Sequence, residues 1–195
     1  MKNQANDNKA PSANKSLIVI TVKLLAISMI TALLLSCVNA LTLEKIADNA
    51  KREKAAAIEE IFPDADSNIQ LDVTLDGTSA LYKVYSGDSV IGYVAEATPL
   101  GFGGEMTLMV GVNKDGTVSG VKLVSHSETP GLGDRTKDPT YLKQYVGMGN
   151  DTINVSEIDV ITGSTISSKA ILEGVNNALS AYGIVFSEMS EGGAE

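Results

Sequence analysis

EMTLMVGVNKDGTVSGVKLVSH, residues 105–126, is the stretch of this chain that decides its fold. Two segments rich in apolar and β-branched residues, 105–112 and 117–126, flank Asn-Lys-Asp-Gly, which is typical of hairpin turns. Because a short turn joins antiparallel neighbours, this pair predicts an antiparallel sheet.

The segments on the N-terminal side extend the same pattern. Three more strand-like runs lie at 69–75, 80–86 and 89–97. Asp-Gly and Gly-Asp dipeptides separate these runs, which indicates tight turns. Five strands in sequence, joined by short turns, predict an α+β domain whose antiparallel sheet is twisted or partly barrel-like and is flanked by helices.

The C-terminal side is predicted to be mostly helical. Residues 138–146 are typical of a short helix, 157–161 of one further strand, and 165–183 of a helix that begins where this strand ends. The apolar positions of the last helix share one face: Ile171, Val175, Ala178, Leu179 and Tyr182.

The N-terminal part differs in character. Residues 1–15 are polar, whereas 17–38 form an apolar run of about 33 Å as a helix, enough to span a bilayer. Three interpretations are open: a retained single-span anchor, a signal peptide cleaved after 38–40, or a lipoprotein signal that presents Cys37 for lipidation. The lengths of the run and of the tail favour the anchor. The basic residues on its two sides nearly balance, so charge does not fix its orientation.

A second helix is predicted over residues 42–62, as a stalk that continues from the span. Thr42 is a suitable N-cap, and Pro63 is expected to end the helix.

Composition excludes several kinds of function. The net charge is −9, and because residues 1–40 carry +3, the remainder carries −12, which argues against nucleic acid as a partner. The chain has one cysteine and one histidine, so it lacks a cysteine cluster for iron–sulfur ligation and a histidine pair for haem or zinc. If this protein moves electrons, an organic cofactor has to carry them.

Two loops are candidates for a ligand site. HSETPGLG (126–133) is rich in proline and glycine, which suits a rigid binding loop and a plain hairpin exit equally well. We interpret His126 at its start as a structural residue. TGST (162–165) precedes the last helix, whose N-terminus suits a phosphate, although ordinary capping by Ser or Thr explains the same residues.

Residues 101–133 and DVITGSTISSKAI (159–171), taken together, resemble the FMN-binding domain family. From about residue 17 to 185 the chain resembles the G subunits of Rnf electron-transport complexes. The elements ETPGLG and TGST, in that order, carry the resemblance. The C subunits of sodium-pumping NADH:quinone reductases share these motifs in chains that are usually longer.

The resemblance implies FMN bound covalently through a phosphoester to Thr165, the last residue of a Ser/Thr-Gly-Ala-Thr motif in which Ser164 replaces Ala. A flavin transferase is expected to make this bond from FAD. The ring is expected to lie against the sheet and the 126–133 loop, whose backbone amides and Thr129 would bind its polar edge. Leu132 and the GFGG loop (101–104) are expected to cover one face of the ring. The further cofactor-binding residues implied are Thr162, Gly163, Ser164, Glu128, Thr129, Gly131, Leu132 and Gly133. No catalytic acid or base and no metal are expected.

The resemblance also implies a layout and a role. The layout is a cytoplasmic tail (1–15), a transmembrane helix (16–40), a helical stalk (41–62) and an FMN-binding domain (63–190) outside the cell membrane. The role is that of an electron-relay subunit, not a stand-alone catalyst. It would work beside other membrane subunits in a complex that couples ferredoxin:NAD electron transfer to sodium or proton translocation. The alternative is an exported binding or scaffold domain without a redox centre, or a lipoprotein.

Overall fold

The computed structural model describes residues 13–72, 75–149 and 152–191. Most of the predicted tail (1–12) and residues 73–74 of the first predicted strand lie outside the described residues. The chain divides into two units between Ala50 and Lys51.

The first helix, α1 (Ala13–Ile61), is one continuous element. Its segment Lys15–Ile61 contains a window long and apolar enough to cross a membrane, with a mean hydropathy of 2.5 and no burial inside the protein. The free cysteine Cys37 is exposed within it. The N-cap predicted at Thr42 is wrong, because its hydroxyl donates to the carbonyl of Val38, one turn earlier, at 2.9 Å. The preceding residues are therefore helical as well.

The sheet has five strands in the order in which they occur in the chain, and every neighbouring pair is antiparallel. The strands are β1 (Ser67–Leu71), β2 (Thr78–Ser86), β3 (Ser89–Ala97), β4 (Thr107–Asn113) and β5 (Val118–Ser125). This confirms the predicted α+β class and the antiparallel sheet. The described strands form an open sheet with β1 and β5 at its edges, not the partly closed barrel considered above.

The hairpin between β4 and β5 forms at the predicted residues. The backbone N–H of Gly116 donates to the carbonyl of Asn113 at 3.0 Å, and Val110 pairs with Val121 in the ladder. The Asp115 carboxylate accepts hydrogen bonds from the backbone N–H and the hydroxyl of Thr117, and the hydroxyl in particular lowers the pKa of Asp115. The turn residues thus supply the bonds that set the register.

Both faces of the sheet are covered. Helix α3 (Thr165–Glu191) packs on one face, and residues 51–61 of α1 pack on the other. Successive residues of β3 alternate accordingly, since Val94 belongs to the cluster with α1 and Ala95 to the cluster with α3. Four of the five predicted apolar positions of α3 are buried and Leu179 is partly buried, which confirms its core face.

Two ion pairs fix the end of α1 on the sheet. Lys54 Nζ lies 2.7 Å from Oε2 of Glu96, a residue only 6% exposed, while the pair between Lys122 and Glu60 is at the surface. Glycine at position 111 leaves room for the side chain of Ile61, because a Cβ there would collide with it.

The segment between the sheet and α3 differs from the sequence prediction. Residues 138–146 form a single helical turn, α2 (Pro139–Leu142), followed by a 3₁₀ turn (Lys143–Tyr145). The strand predicted at 157–161 is wrong, since these residues join no strand of the described sheet. The Gln144 side chain instead accepts from the backbone N–H of Asp159 at 2.7 Å, while Ile158 is buried in the core.

Candidate functional site

The turn before α3 has a defined geometry. Ser164 donates its backbone N–H to the carbonyl of Ile161 at 2.9 Å, so residues 161–164 form a β-turn. Gly163 has a φ of +84° at the third position, as a type II turn requires. A turn therefore leads into α3 where the sequence predicted a strand, and it makes Ser164 the N-cap and Thr165 the first helical residue.

Five hydroxyl groups lie in and after this turn, and the structure gives them different roles. Ser167 donates to Glu128 at 2.8 Å, and Ser168 accepts from the backbone N–H of Ile161 at 3.2 Å. The Ser164 hydroxyl is buried without a hydrogen-bond partner among the described residues. Thr162 and Thr165 are exposed, but only Thr165 lines the cavity described below.

The 128–133 loop is a second ordered turn. Leu132 donates its N–H to the carbonyl of Thr129 at 3.1 Å, across Pro130 and Gly131. The φ of Gly131 is +79°, which again fits a type II turn with proline first and glycine second. A 3₁₀ helix (Gly133–Lys137) follows directly. Pro130 and Gly131 therefore occupy the two central positions of a hydrogen-bonded turn.

Hydrogen bonds within this loop leave few of its amides for a ligand. Glu128 donates its N–H to Nδ1 of His126 at 3.2 Å, and Gly131 donates to the Asp134 carboxylate at 2.7 Å. The N–H of Leu132 is engaged as well. The loop's amides therefore cannot all bind a flavin ring, as had been expected. Among the described residues, the amides of Thr129 and Gly133 remain without a hydrogen-bond acceptor. The bond to Glu128 gives His126 a structural role.

Glu128 is the buried centre of the site. It is 6% exposed, and its two carboxylate oxygens accept from the backbone N–H of Gly103 at 3.1 Å and from the Ser167 hydroxyl at 2.8 Å. It therefore links three segments that are far apart in sequence: the 101–104 turn, its own loop and the first turn of α3.

A cavity of about 350 Å³ lies where these segments meet, within the size range of small-molecule sites. Seven of the nine residues inferred from the resemblance line it: Glu128, Thr129, Leu132, Gly133, Gly163, Ser164 and Thr165. Thr162 and Gly131 do not line it; they lie in the two turns. Phe102, Ile166 and Ser167 complete the lining. Phe102 belongs to the GFGG loop that was expected to cover a face of the ring, whereas Ile166 was not among the inferred site residues. The apolar side chain of Ile166 carries no sequence signal that separates it from an ordinary helix position.

The electrostatics of the cavity suit a phosphate at one place. The first backbone N–H groups of α3 lack helical partners and carry partial positive charge, and the first turn has no acidic residue. Glu128 is the one charged residue among those that line the cavity. An anion can therefore be stabilised at the end next to Thr165, where the unpartnered Ser164 hydroxyl offers a further donor. The residues present thus fit the phosphate of a flavin nucleotide.

A larger cavity, of about 560 Å³, lies between the 114–116 turn and the C-terminal half of α3. None of the inferred site residues lines it. The Asn176 amide within it is already engaged in two hydrogen bonds to the backbone of Ile153, at 2.9 Å each.

Comparisons with known proteins place this site in a family. Residues 101–180 match the FMN-binding domain. The G subunit of the ion-translocating oxidoreductase complex of Methanosarcina acetivorans is 31% identical over 179 residues, which cover 86% of this chain and 95% of that protein. The G subunit of the Na⁺-translocating ferredoxin:NAD⁺ oxidoreductase complex of Acetobacterium woodii is 29% identical, over 82% of this chain and 88% of that protein. The G subunit of the proton-translocating ferredoxin:NAD⁺ oxidoreductase complex of Clostridium ljungdahlii is also 29% identical, over 84% and 90%.

The solved structure of the C subunit of a Na⁺-translocating NADH-quinone reductase from Parabacteroides distasonis is similar with a TM-score of 0.46 and 17% identity, over 60% of this chain and 76% of that chain. A likeness of this degree supports no functional inference.

The sheet, the two ordered turns and the cavity at the start of α3 together define a domain of the FMN-binding class. The chain belongs to the family of G subunits of ion-translocating oxidoreductase complexes. This is the Rnf-type family that its sequence motifs resemble.

Proposed function

We propose that this chain is a flavoprotein subunit that relays electrons in an Rnf-type ion-translocating oxidoreductase, and that its FMN is esterified through the phosphate to Thr165. The flavin supplies the redox chemistry, since it accepts and donates electrons. The chain's own residues bind and orient it and partly shield it from water.

The position of Thr165 is the observation that carries this proposal. Its side chain is exposed at the first position of α3 and lines the cavity, whereas the hydroxyls of Ser167 and Ser168 are engaged in hydrogen bonds. A phosphate on Thr165 would lie at the positive end of the helix dipole. Of the five hydroxyls near the turn, Thr165 alone combines access from solvent with a place in the cavity.

The remaining residues are proposed to contribute in two ways: some shape the turns around the cavity, and others border the nucleotide directly. Thr162 and Gly163 shape the turn, and Gly131 shapes the opposite loop. Thr129, Leu132 and Gly133 border the cavity on the loop side, and Phe102 and Ile166 offer apolar cover for a flavin ring.

We further propose that α1 anchors the chain in the cell membrane, with the flavin domain (63–190) on the extracytoplasmic side and the tail (1–15) in the cytoplasm. The apolar window of α1 supports an anchor. Other membrane subunits of the complex are the expected partners, and a flavin transferase is expected for maturation. Relatives of equal identity are named for sodium and for protons, so we assign no coupling ion.

Intact mass of the protein purified from its own host tests the covalent bond. We expect the mass of one FMN less water to be added, and a fluorescent band on a denaturing gel under ultraviolet light. Thr165→Ala should abolish both signals. Thr165→Ser keeps a hydroxyl at the same place and is the matched control, which we expect to retain at least part of the flavin.

Other results of this experiment separate the alternatives. A fluorescent Thr165→Ala band would move the attachment to another residue. A diacylglycerol on Cys37, with loss of residues 1–36, would identify a lipoprotein. An unmodified, colourless protein from a host that makes the transferase would refute the electron-carrier proposal. Co-purification of membrane subunits tests the assembly separately.

A further inference from the structure

We propose that Glu128 is a positioning residue that closes the cavity, by holding the 101–104 turn and the first turn of α3 together through two hydrogen bonds. It acts as a clamp within the protein and does not itself bind the cofactor. This inference rests on the proposed function, because it takes the cavity to be the flavin site.

Both carboxylate oxygens already accept a hydrogen bond from the protein in the observed arrangement. Oε1 accepts from the backbone N–H of Gly103 at 3.1 Å, and Oε2 accepts from the hydroxyl of Ser167 at 2.8 Å. Glu128 is 6% exposed and Ser167 1%, so redirecting Oε2 would leave the buried Ser167 hydroxyl without its acceptor, which is costly. Although Glu128 lines the cavity, its polar atoms face the protein.

Glycines on both sides leave room for the carboxylate. A Cβ at Gly101 would collide with Oε1, and a Cβ at Gly133 would collide with Oε2. The backbone N–H of Glu128 is held by Nδ1 of His126 at 3.2 Å. The glycines thus leave a slot for this side chain, and the histidine holds its stem.

The clamp determines where Phe102 lies. The 101–104 turn closes on itself through the bond from Gly101 N–H to the carbonyl of Gly104 at 2.9 Å. Within the described ranges, the one hydrogen-bonded side-chain link between this turn and the first turn of α3 runs through Glu128. The Phe102 ring, 70% exposed although it lines the cavity, depends on this connection for its place at the cavity mouth.

Two substitutions of Glu128 separate the clamp from the charge. Glu128→Gln can keep both bonds without the charge, because the amide oxygen accepts from Gly103 and the NH₂ group donates to the Ser167 hydroxyl, which rotates to accept. Glu128→Ala removes both bonds. A clamp therefore predicts that Gln behaves like the wild type and Ala does not.

Iodide quenching of flavin fluorescence in the full-length, flavinylated protein is the first measurement. We expect the quenching constant to rise severalfold in Glu128→Ala and in Phe102→Ala, with a fall in flavin anisotropy, and to stay at the wild-type value in Glu128→Gln. Asn176→Ala, which loses the two bonds to Ile153 far from this cavity, is the control for general destabilisation and should leave quenching unchanged. An unchanged constant in Glu128→Ala, or a Gln variant that behaves like Ala, would overturn the clamp.

Amide hydrogen exchange of Gly103 in the unmodified protein is the second measurement, and it needs no flavin. Exchange should accelerate in Glu128→Ala and, to a smaller extent, in the milder variant Ser167→Ala, but not in Glu128→Gln. Wild-type exchange in both alanine variants would refute the clamp even if Glu128→Ala acquired no flavin. This readout is independent of FMN. A wild-type protein that lacks flavin would therefore refute the proposed function but leave the clamp unaffected.

Discussion

The hydroxyl of Ser168 accepts a hydrogen bond from the backbone N–H of Ile161 at 3.2 Å, which ties the first turn of α3 to the start of the turn before it. The carbonyl of Ser164 accepts from the N–H of Ser168 at 2.9 Å. Thr165 lies between these anchors, so its exposed side chain stands on a backbone fixed from both sides.

Ser168→Ala is expected to weaken this arrangement. The substitution leaves the N–H of Ile161 without its acceptor, which should lower the free energy of unfolding by about 1–3 kcal/mol. It should also reduce the fraction of protein that carries flavin, measured by intact mass. Ser180→Ala, at an exposed position of the same helix, is the matched control; it should leave flavin loading unchanged and should not lower the unfolding free energy, because alanine is the better helix former. Full flavin loading in Ser168→Ala would show that the turn need not be fixed for attachment.

Gly163→Ala should misplace Thr165 for a different reason. With a φ of +84°, this position is strained for any residue that has a Cβ, and we expect a loss of about 1–2 kcal/mol in unfolding free energy and less flavin attachment. The control is Gly183→Ala, within α3 and with no atom near the added methyl group. There alanine should stabilise the helix by about 0.5–1 kcal/mol without affecting attachment. Equal effects of the two substitutions on flavin content would contradict the prediction.

Local signals made the sheet predictable. Asn-Lys-Asp-Gly between two apolar runs indicated the hairpin, and it forms with the N–H of Gly116 bonded to the carbonyl of Asn113. The apolar face of α3 was equally predictable, because its apolar residues recur with the period of a helix. Ile171 and Val175 on this face are fully buried. These elements are specified by residues close together in sequence.

Long-range partners explain what the sequence did not predict. Residues 157–161, in which three β-branched residues are interspersed with Glu157 and Asp159, have strand composition, but the Gln144 side chain binds the backbone N–H of Asp159 and no ladder forms. The bond between Glu128 and Ser167 spans 39 positions, and no periodicity relates the two residues. Ile166 resembles an isolated exposed apolar residue until the fold brings it to the cavity beside Phe102.

The ion pair between Lys54 and Glu96 is expected to stabilise the domain measurably. Because Glu96 is buried, Lys54→Ala leaves its carboxylate without a partner and should lower the unfolding free energy by about 1–3 kcal/mol, discounted for the partial exposure of Lys54. Lys122→Ala breaks the exposed pair with Glu60 and should cost less than about 1 kcal/mol. Urea unfolding of the two variants in the same detergent compares them. A larger loss of unfolding free energy in Lys122→Ala than in Lys54→Ala would contradict the prediction that the pair with buried Glu96 is the more stabilising one.

Tyr145 is expected to make the domain sensitive to alkali. Its hydroxyl is buried without a hydrogen-bond partner among the described residues, and burial raises its pKa above the usual value. The native phenol therefore stays protonated where the unfolded one ionises, so the unfolding free energy should fall as the pH rises above about 10. Tyr145→Phe should weaken this dependence, part of which remains because burial also raises the pKa values of Tyr82 and Tyr182. It also removes an unsatisfied buried group, so it should be neutral or stabilising at pH 7. Thermal unfolding from pH 7 to 11 tests both points, and a destabilised variant at pH 7 would indicate a partner for the hydroxyl.

The charge of Glu128 should influence the proposed flavin even if its hydrogen bonds are what closes the cavity. A buried carboxylate next to a redox centre disfavours added electrons, so Glu128→Gln should raise the midpoint potential of the flavin. We expect several tens of millivolts, the order that follows from one unit charge at roughly 10 Å with an effective dielectric constant of about 20. Glu105→Gln removes an exposed carboxylate beside the 101–104 turn and should shift the potential far less, because water and salt screen it. Redox titration of the flavinylated variants, followed by visible absorbance, gives both values. A potential that falls or stays constant in fully flavinylated Glu128→Gln would mean that this carboxylate lies outside the electrostatic reach of the ring.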